Sequence, residues 1–333
     1  MRYIIYGAGA VGGVIGGRLA QAGREAVLIA RGAHLEAIRR DGLRMIVADG
    51  EFRFQIPAVE FPREIDFRSD DVVILTMKTQ DTEQALHDLE AGGGADLPII
   101  CCQNGVENER IAARRFARVY GMVVYLWATF LEAGTVIGNT VPVSGVLDAG
   151  CYPKGVDDLI TAVTADLSTS HFVSRPRPDI MRFKYAKMLG NLGTAIPAIT
   201  EDTIGSEPQR RLTARLRDEA LACYAAARIT IPAEAELETE VAPHNQRHRI
   251  EGQPWGEGST WQSIARGRDT VETDYLNGEI VLLGKLHGVP TPLNATVRRL
   301  ANRIAMAGEK PGDYSIADIE RLAAEGVPAG TRP

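Results

Sequence analysis

The chain has 333 residues, of which 45% are hydrophobic and 24% are charged, and its formal net charge is −6. These values predict a globular protein of two domains, and without a strongly basic balance we expect no nucleic-acid partner. No signal-peptide pattern opens the chain and no apolar stretch approaches the ~20 residues of a transmembrane helix, so we expect a cytoplasmic protein without a membrane partner.

Short apolar runs alternate with helical patterns over the first half of the chain. Between the first two runs, residues 10–22 predict a helix that ends at Gly23. Unbroken apolar strands separated by helices are typical of a parallel sheet covered on both faces. Asp49-Gly50, between alternating apolar residues, predicts an additional hairpin. The predicted strands of the parallel sheet are residues 3–6, 26–30, 72–76 and 99–102.

The pattern changes after Arg175-Pro176-Arg177-Pro178, a stiff segment that is unsuited to the interior of a helix. Helical patterns dominate beyond it. We therefore predict an α/β domain over residues 1–175 and an all-α domain over residues 176–333. The predicted helices of the second domain are residues 179–195, 207–228 and 260–287, with a further one around 315–325.

Gly7-Ala8-Gly9-Ala10-Val11-Gly12 is a G-x-G-x-x-G motif between a predicted strand and a predicted helix. In this context the first glycine permits a tight turn, the second a close approach of the backbone to a pyrophosphate, and the third close packing of helix on strand. The amides at the start of the helix attract phosphates. The motif predicts that the first domain is a Rossmann-type domain, with these six residues at the dinucleotide.

Arg31 ends the second predicted strand, where an NAD-binding protein usually carries a carboxylate that binds the ribose. A guanidinium at this place suits a 2′-phosphate, by its charge and by its forked donors. The alternative is a solvated surface arginine. The sequence therefore predicts NADPH rather than NADH as the cofactor.

Polar residues follow two strands of the predicted sheet, Lys78 after 72–76 and Asn104 after 99–102. Ligands of open parallel sheets bind outside the carboxyl ends of the strands, so both are candidate site residues. The alternatives are a solvated loop lysine and a turn residue before Gly105.

Lys187 and Asn191 are four residues apart on one predicted helix and therefore share a face. An ammonium there could protonate the alkoxide that forms when a hydride reaches a carbonyl, and an amide could hold a substrate oxygen. A solvated face is the alternative, and Lys184 is interpreted as a solvated neighbour. Glu272 could pair with Lys187 or accept a substrate hydroxyl, the alternative being a charge at a helix N-terminus.

Taken in this order, the residues resemble those of the ketopantoate reductase (2-dehydropantoate 2-reductase) family, from Gly7 to about Asn294. The resemblance implies that Lys187 is the general acid at the ketone oxygen and that Glu272 orients the substrate and this lysine. It implies substrate contacts from Asn104, Asn191 and Ser259, and places Lys78 and Asn104 at the cofactor. The matching landmarks are Gly7–Gly12, Arg31, Lys78, Gln103-Asn104-Gly105, Lys187-x-x-x-Asn191, Ser259, Glu272 and Tyr275-Leu276-Asn277-Gly278.

The function that this resemblance implies is the NADPH-dependent reduction of ketopantoate to pantoate in pantothenate biosynthesis. Two positions depart from the family pattern, Ala195 in place of an asparagine and Ser263 in place of an aspartate. Since helical spacing would align Ala195 with Lys187 and Asn191, we expect weaker ketopantoate binding or a different branched 2-oxo acid. A non-catalytic NADPH-binding sensor is the alternative of another class.

A metal site is not expected. His244 and His248 are four apart but have no third ligand at a usable spacing, and the four cysteines match no zinc or redox motif. The oligomeric state is left open by the sequence, a homodimer included.

Overall fold

The computed structural model describes residues 1–201, 205–254, 270–307 and 312–326. The chain divides into two compact units, residues 1–184 with 232–256 and residues 185–231 with 257–333. Domains over 1–175 and 176–333 stay a prediction. The division falls later than residue 175 because Ile180 and Phe183 pack with Val123 and Tyr125 of the first unit. Among the described residues, no helix is both long and apolar enough to cross a membrane.

The strands of the described residues are β1 (Arg2–Tyr6), β2 (Glu25–Ile29), β3 (Leu43–Val47), β4 (Gly50–Phe54), β5 (Ala58–Val59), β6 (Asp71–Leu75), β7 (Ile99–Cys101), β8 (Val119–Met122), β9 (Ala128–Thr129), β10 (Thr135–Gly138), β11 (Thr140–Val141), β12 (Ala149–Cys151) and β13 (Gln246–Arg247). Seven of them form one sheet in the first unit, in the order β12-β8-β7-β6-β1-β2-β5. All neighbouring pairs of this sheet are parallel except β12 with β8, which is antiparallel.

Helices cover both faces of this sheet, and β1 shows why. Tyr3 and Ile5 enter one buried cluster, whereas Ile4 and Tyr6 enter another on the opposite face. Residues that alternate between two cores need apolar side chains at every position, which explains the unbroken apolar runs. The predicted fold class, an α/β domain with a parallel sheet followed by helices, is confirmed.

The described helices are numbered here in chain order. Those of the first unit are α1 (Ala10–Gln21), α2 (Gly32–Asp41), α3 (Thr82–Ala91), α4 (Asn108–Ala113), α5 (Asp158–Ser168) and α9 (Glu234–Glu240). Helix α6 (Ile180–Asn191) begins in the first unit and continues into the second. Those of the second unit are α7 (Ile196–Ile199), α8 (Glu207–Ala226), α10 (Asn277–His287), α11 (Pro292–Ala307) and α12 (Ile316–Glu325).

Helix α1 packs between the seven-stranded sheet and a second sheet, ordered β4-β3-β10-β9. The predicted hairpin forms its β3–β4 edge. A methyl group on Gly16 would lie 2.7 Å from Leu28 in one sheet, and one on Gly17 would lie 2.7 Å from the sulfur of Met45 in the other. Side chains would not fit on either side, so the glycines of α1 let both sheets approach the helix.

The predicted helix over 179–195 is wrong at its end. Helix α6 stops at Asn191, a turn follows, and Ala195 precedes the separate short helix α7. The amide of Thr194 donates to the carbonyl oxygen of Asn191 at 3.1 Å, and Pro197 provides a new helix start because proline is favoured in a first turn. Ala195 is fully buried. It therefore does not continue the helical spacing of Lys187 and Asn191.

Polar contacts inside the second unit join three of its helices. Asn277 Nδ2 donates to Asn294 Oδ1 at 3.0 Å, and Asn294 Nδ2 donates to a carboxylate oxygen of Glu219 at 2.8 Å. The backbone amides of Leu293 and Asn294 also donate to Glu219, which thus serves the start of α11. These amide side chains hold α8, α10 and α11 in register and are satisfied largely within the fold.

Residues 232–256 return to the first unit through a buried charge cluster. Asp148 is fully buried and accepts from the amide and Nε of Arg175, at 2.9 and 3.1 Å, and from Nε of Arg177 at 3.0 Å. Both arginines also pair with Glu240, which ends α9. Glu240 thereby completes the cluster and attaches the end of α9 to the first unit.

We expect the carboxylate of Asp148 to contribute strongly to the stability of the fold. We expect Asp148→Ala to lower the free energy of unfolding by about 3 kcal/mol, because two partly buried guanidinium groups lose their fully buried partner and keep only Glu240. Asp96→Ala, at an exposed position, is the control and should change it by less than about 0.5 kcal/mol. Urea unfolding measures both, and equal effects of the two substitutions would contradict the assigned role.

Candidate active site

The glycine motif forms the turn between β1 and α1, at the point where the strand order reverses between β1 and β6. Gly7 has a φ of +101°, and a side chain there would lie 2.7 Å from the backbone nitrogen of Met77. Thr76 Oγ1 donates to the carbonyl oxygen of Gly7 at 2.8 Å. The turn is therefore fixed against the end of β6, at the place where open parallel sheets bind ligands.

The start of α1 fits an anionic ligand. The amides of Ala10, Val11 and Gly12 are in the first turn, where backbone donors have no partner within the helix. The first turn carries no acidic residue, and the space around the Cα of Gly9 is open within 4 Å. These features suit the pyrophosphate of a dinucleotide, through the amides and the helix dipole.

Arg31 lies where the sequence predicted it, beyond the end of β2 and immediately before α2. Its side chain is 55% exposed, and its guanidinium is 4.0 Å from the carboxylate of Asp88 on α3. An exposed pair at this distance contributes little to stability, so the guanidinium can reorient toward a ligand anion. Asp88 is a neighbouring negative charge that the sequence pattern did not reveal.

Two loops at the carboxyl ends of β6 and β7 are held side by side by hydrogen bonds among side chains. Gln103 Nε2 donates to Thr82 Oγ1 at 2.8 Å, and Thr82 Oγ1 donates to Asn108 Oδ1 at 2.8 Å. Asn108 Nδ2 then donates to the carbonyl oxygen of Asn104 at 3.3 Å. This network fixes the Asn104 loop against the start of α3, just after Lys78.

Lys184 is not the solvated neighbour that the sequence suggested. It is 2% exposed and its ammonium lies 2.5 Å from a carboxylate oxygen of Glu109, which is fully buried. It also donates to the carbonyl oxygens of Cys101 and Gln103, at 3.1 and 3.0 Å. Burial raises the pKa of Glu109, and the ammonium of Lys184 opposes this shift. The pair fixes the backbone immediately before Asn104.

Lys187 and Asn191 lie four apart on the part of α6 that belongs to the second unit. Burial lowers the pKa of Lys187 to about 8. Asn191 is buried, and its Nδ2 has no hydrogen-bond partner within the described part of the chain. A buried amide donor without a partner is costly, so its retention points to a ligand oxygen.

Glu272 is buried at the start of a short 3₁₀ turn that precedes α10. Asn277 Nδ2 donates to the carbonyl oxygen of Leu192 at 3.1 Å, which attaches this segment to the end of α6. Thr273, which no motif singled out, is fully buried, and its Oγ1 has no hydrogen-bond partner among the described residues. The second unit thus brings the Glu272 segment beside the helix that carries Lys187 and Asn191.

Two serines and a metal site remain from the sequence analysis. Ser259 and Ser263 lie outside the described residues. Within the described ranges, no three histidine, cysteine, aspartate or glutamate side chains are placed to hold a metal ion.

Comparison with known proteins assigns both halves of the chain to one group. Residues 3–153 match the family described as Ketopantoate reductase PanE/ApbA, and residues 179–305 match its C-terminal counterpart. The 2-dehydropantoate 2-reductase of Pyrococcus horikoshii is 29% identical over 298 residues, covering 88% of this chain and 94% of that protein. The enzyme of the same name from Mesorhizobium japonicum is 29% identical over 335 residues, covering 92% and 98%.

Solved structures show the same architecture. A PanE/ApbA family ketopantoate reductase from Ralstonia eutropha superposes with a TM-score of 0.77 at 25% identity, covering 92% of this chain and 99% of that one. A ternary structure of D-mandelate dehydrogenase with NADH and anilino(oxo)acetate superposes with a TM-score of 0.78 at 22% identity, with the same coverage. The second of these similarities concerns the fold alone.

Proposed function

This chain belongs to the ketopantoate reductase family, and on that premise we propose that it reduces ketopantoate to pantoate with NADPH. Membership makes it an oxidoreductase that uses a nicotinamide cofactor. One observation carries the proposal: Lys187, whose pKa is lowered, shares a helix face with Asn191, whose Nδ2 has no hydrogen-bond partner among the described residues. That arrangement suits a carbonyl oxygen that must be held and protonated.

The chemistry divides between the cofactor and the chain. A bound nicotinamide would supply the hydride that the carbonyl carbon needs. Lys187 would give its proton to the carbonyl oxygen, so that an alcohol forms and the amine is left neutral. A pKa of about 8 keeps the amine mostly protonated at pH 7 and still a better acid than an ordinary lysine. Asn191 donates to a substrate oxygen, and Glu272 orients Lys187 and the substrate. Lys78, Asn104 and Ser259 complete the proposed set at the cofactor and substrate.

A branched 2-oxo acid other than ketopantoate is the alternative substrate. Ala195 is an apolar residue where the family pattern has an asparagine, and it is fully buried. The predicted loss of a substrate contact assumed a continuous helix to residue 195, which the structure contradicts. Ketopantoate is therefore the leading substrate.

A panel of 2-oxo acids tests the function. With NADPH in excess, we expect kcat/KM for ketopantoate to exceed that for ketoisovalerate, which lacks the hydroxyl, by about tenfold, the value of one hydrogen bond. Loss of NADPH absorbance measures the rates, and an aryl 2-oxo acid extends the panel. A preference for ketoisovalerate would establish the alternative substrate class. NADPH binding without turnover of any acid would indicate a sensor.

Substitution of the proposed acid tests the mechanism. Lys187→Ala should lower kcat by about 10²-fold or more and leave the Kd of NADPH nearly unchanged, since proton transfer and not binding is lost. In the wild type, kcat/KM should be level below about pH 8 and fall tenfold per pH unit above it, because the protonated amine is the reactive form. Lys285→Ala, at an exposed lysine, is the control. Activity of Lys187→Ala within a few-fold of wild type would assign the proton to another group.

Cofactor preference is expected to depend on Arg31 and Asp88. Arg31→Ala should weaken NADPH binding by roughly 10- to 150-fold, the value of a charge-assisted bond, and leave NADH binding within about threefold. Asp88→Asn should strengthen NADPH binding by about two- to fivefold and leave NADH binding unchanged, because a carboxylate 4.0 Å from the guanidinium repels a 2′-phosphate. Fluorescence titrations measure all four constants. Equal losses for both cofactors in Arg31→Ala would exclude the 2′-phosphate as its ligand.

A further inference from the structure

His34 connects three segments around the glycine turn. It lies in the first turn of α2, two residues after the start of the helix, and is buried. Its Nε2 lies 2.6 Å from the carbonyl oxygen of Ala8, inside the glycine motif. The backbone amide of Gly134, in the loop before β10, donates to its Nδ1 at 2.8 Å. The ring also packs against Phe130, with centroids 4.3 Å apart.

These contacts assign the protonation state of the ring. Because the Gly134 amide can only donate, Nδ1 must hold a lone pair, and because the Ala8 carbonyl can only accept, Nε2 must carry the hydrogen. The imidazole is therefore neutral, as a single tautomer with both nitrogens bonded. Burial lowers the pKa of His34, which agrees with the neutral ring.

The Ala8 carbonyl is a sensitive point of the turn. The peptide group from Ala8 to Gly9 is planar, so a bond to this oxygen also sets the plane of the Gly9 amide, at the residue before α1. The Gly9 amide donates to the carbonyl oxygen of Gly7 at 2.7 Å. His34 stands on the helix that Arg31 precedes, so one side chain ties the phosphate-binding turn to the element that positions the guanidinium.

We propose that His34 is a positioning residue for dinucleotide binding, acting through its Nε2–H bond to the carbonyl of Ala8. The proposal rests on the nicotinamide-dependent function proposed above. His34 does not itself contact the cofactor in this scheme. It holds the turn in the shape that aims the first amides of α1 at the pyrophosphate, so that binding does not have to order the turn.

Two substitutions separate the two bonds of the ring. In His34→Gln the amide nitrogen can reach the place of Nε2 and keep the bond to Ala8, whereas in His34→Asn the amide oxygen can reach the place of Nδ1 and keep only the bond from Gly134. We expect His34→Asn to raise the Kd of NADPH by about three- to tenfold. His34→Gln should stay within twofold of wild type. At saturating NADPH, kcat should remain within twofold in both variants.

Titration of the purified chain with NADPH, followed by fluorescence, gives the Kd values without turnover. His287→Asn, at an exposed histidine of α10, is the matched control and should leave the Kd unchanged. A Kd for His34→Asn equal to wild type, or an equal rise in both His34 variants, would overturn the proposal alone. Failure of the wild-type chain to bind either nicotinamide dinucleotide would overturn the proposed function as well.

Amide hydrogen exchange distinguishes positioning from support of the fold. In His34→Asn, exchange should increase in a peptide covering residues 7–13 and stay at the wild-type level in β6 and β7. Because residues 7–13 are compared with β6 and β7 in the same protein, the result can be interpreted even if the variant is less stable than the wild type. Faster exchange across the whole first unit, with no excess at residues 7–13, would show that His34 only supports the fold and would overturn the proposal.

Discussion

A buried ion pair, Lys184 with Glu109, is the constraint on which the first unit's part of the candidate site depends most. Removing both charges from water costs several kcal/mol, and their attraction offsets this only when the remaining donors are satisfied. Here the ammonium bonds to one carboxylate and two carbonyl oxygens at the end of β7. The first residues of α6 therefore have a fixed position on the first unit, and the backbone on either side of Cys102 is held by the same ammonium.

The sequence predicted the parts of the fold that are encoded locally. The strands of the parallel sheet, the glycine turn and the hairpin each carry their own signal, because an apolar run, a glycine spacing or a turn dipeptide depends on near neighbours. The end of α6 was predicted too late in the chain, because the helical spacing of the sequence continues through Gly193 and Ala195. In the structure the helix ends at Asn191, and a turn precedes the helix that contains Pro197. Apolar spacing also cannot predict that residues 232–256 return to the first unit, since that return depends on Glu240 pairing with two arginines far earlier in the chain, Arg175 and Arg177.

The candidate residues divide in a similar way. Arg31 and the glycine motif lie at the ends of β2 and β1, as predicted from the sequence, because the carboxyl ends of parallel strands lie at the same edge of a sheet. The spacing of Lys187 and Asn191 placed both on one helix. Lys184 could have been recognised as buried, since it is one residue after Phe183 and four after Ile180, both of which face the core. Asp88, Glu109 and His34 had no local signal, because each acquires its role from a partner on another element.

Helix α1 has four glycines among twelve residues, and all four are buried. Each costs roughly 1 kcal/mol of helix stability relative to alanine, so the segment has little tendency to be helical alone. Its stability derives from the two sheets that close on it, at Leu28 on one side and Met45 on the other. A helix of this composition is therefore a poor nucleus for folding, because its stability depends on contacts with both sheets. The amides at its N-terminus are thus held as a binding surface by the packing of both sheets, so we expect cofactor affinity to depend on residues of the β3–β10 sheet that never contact the cofactor.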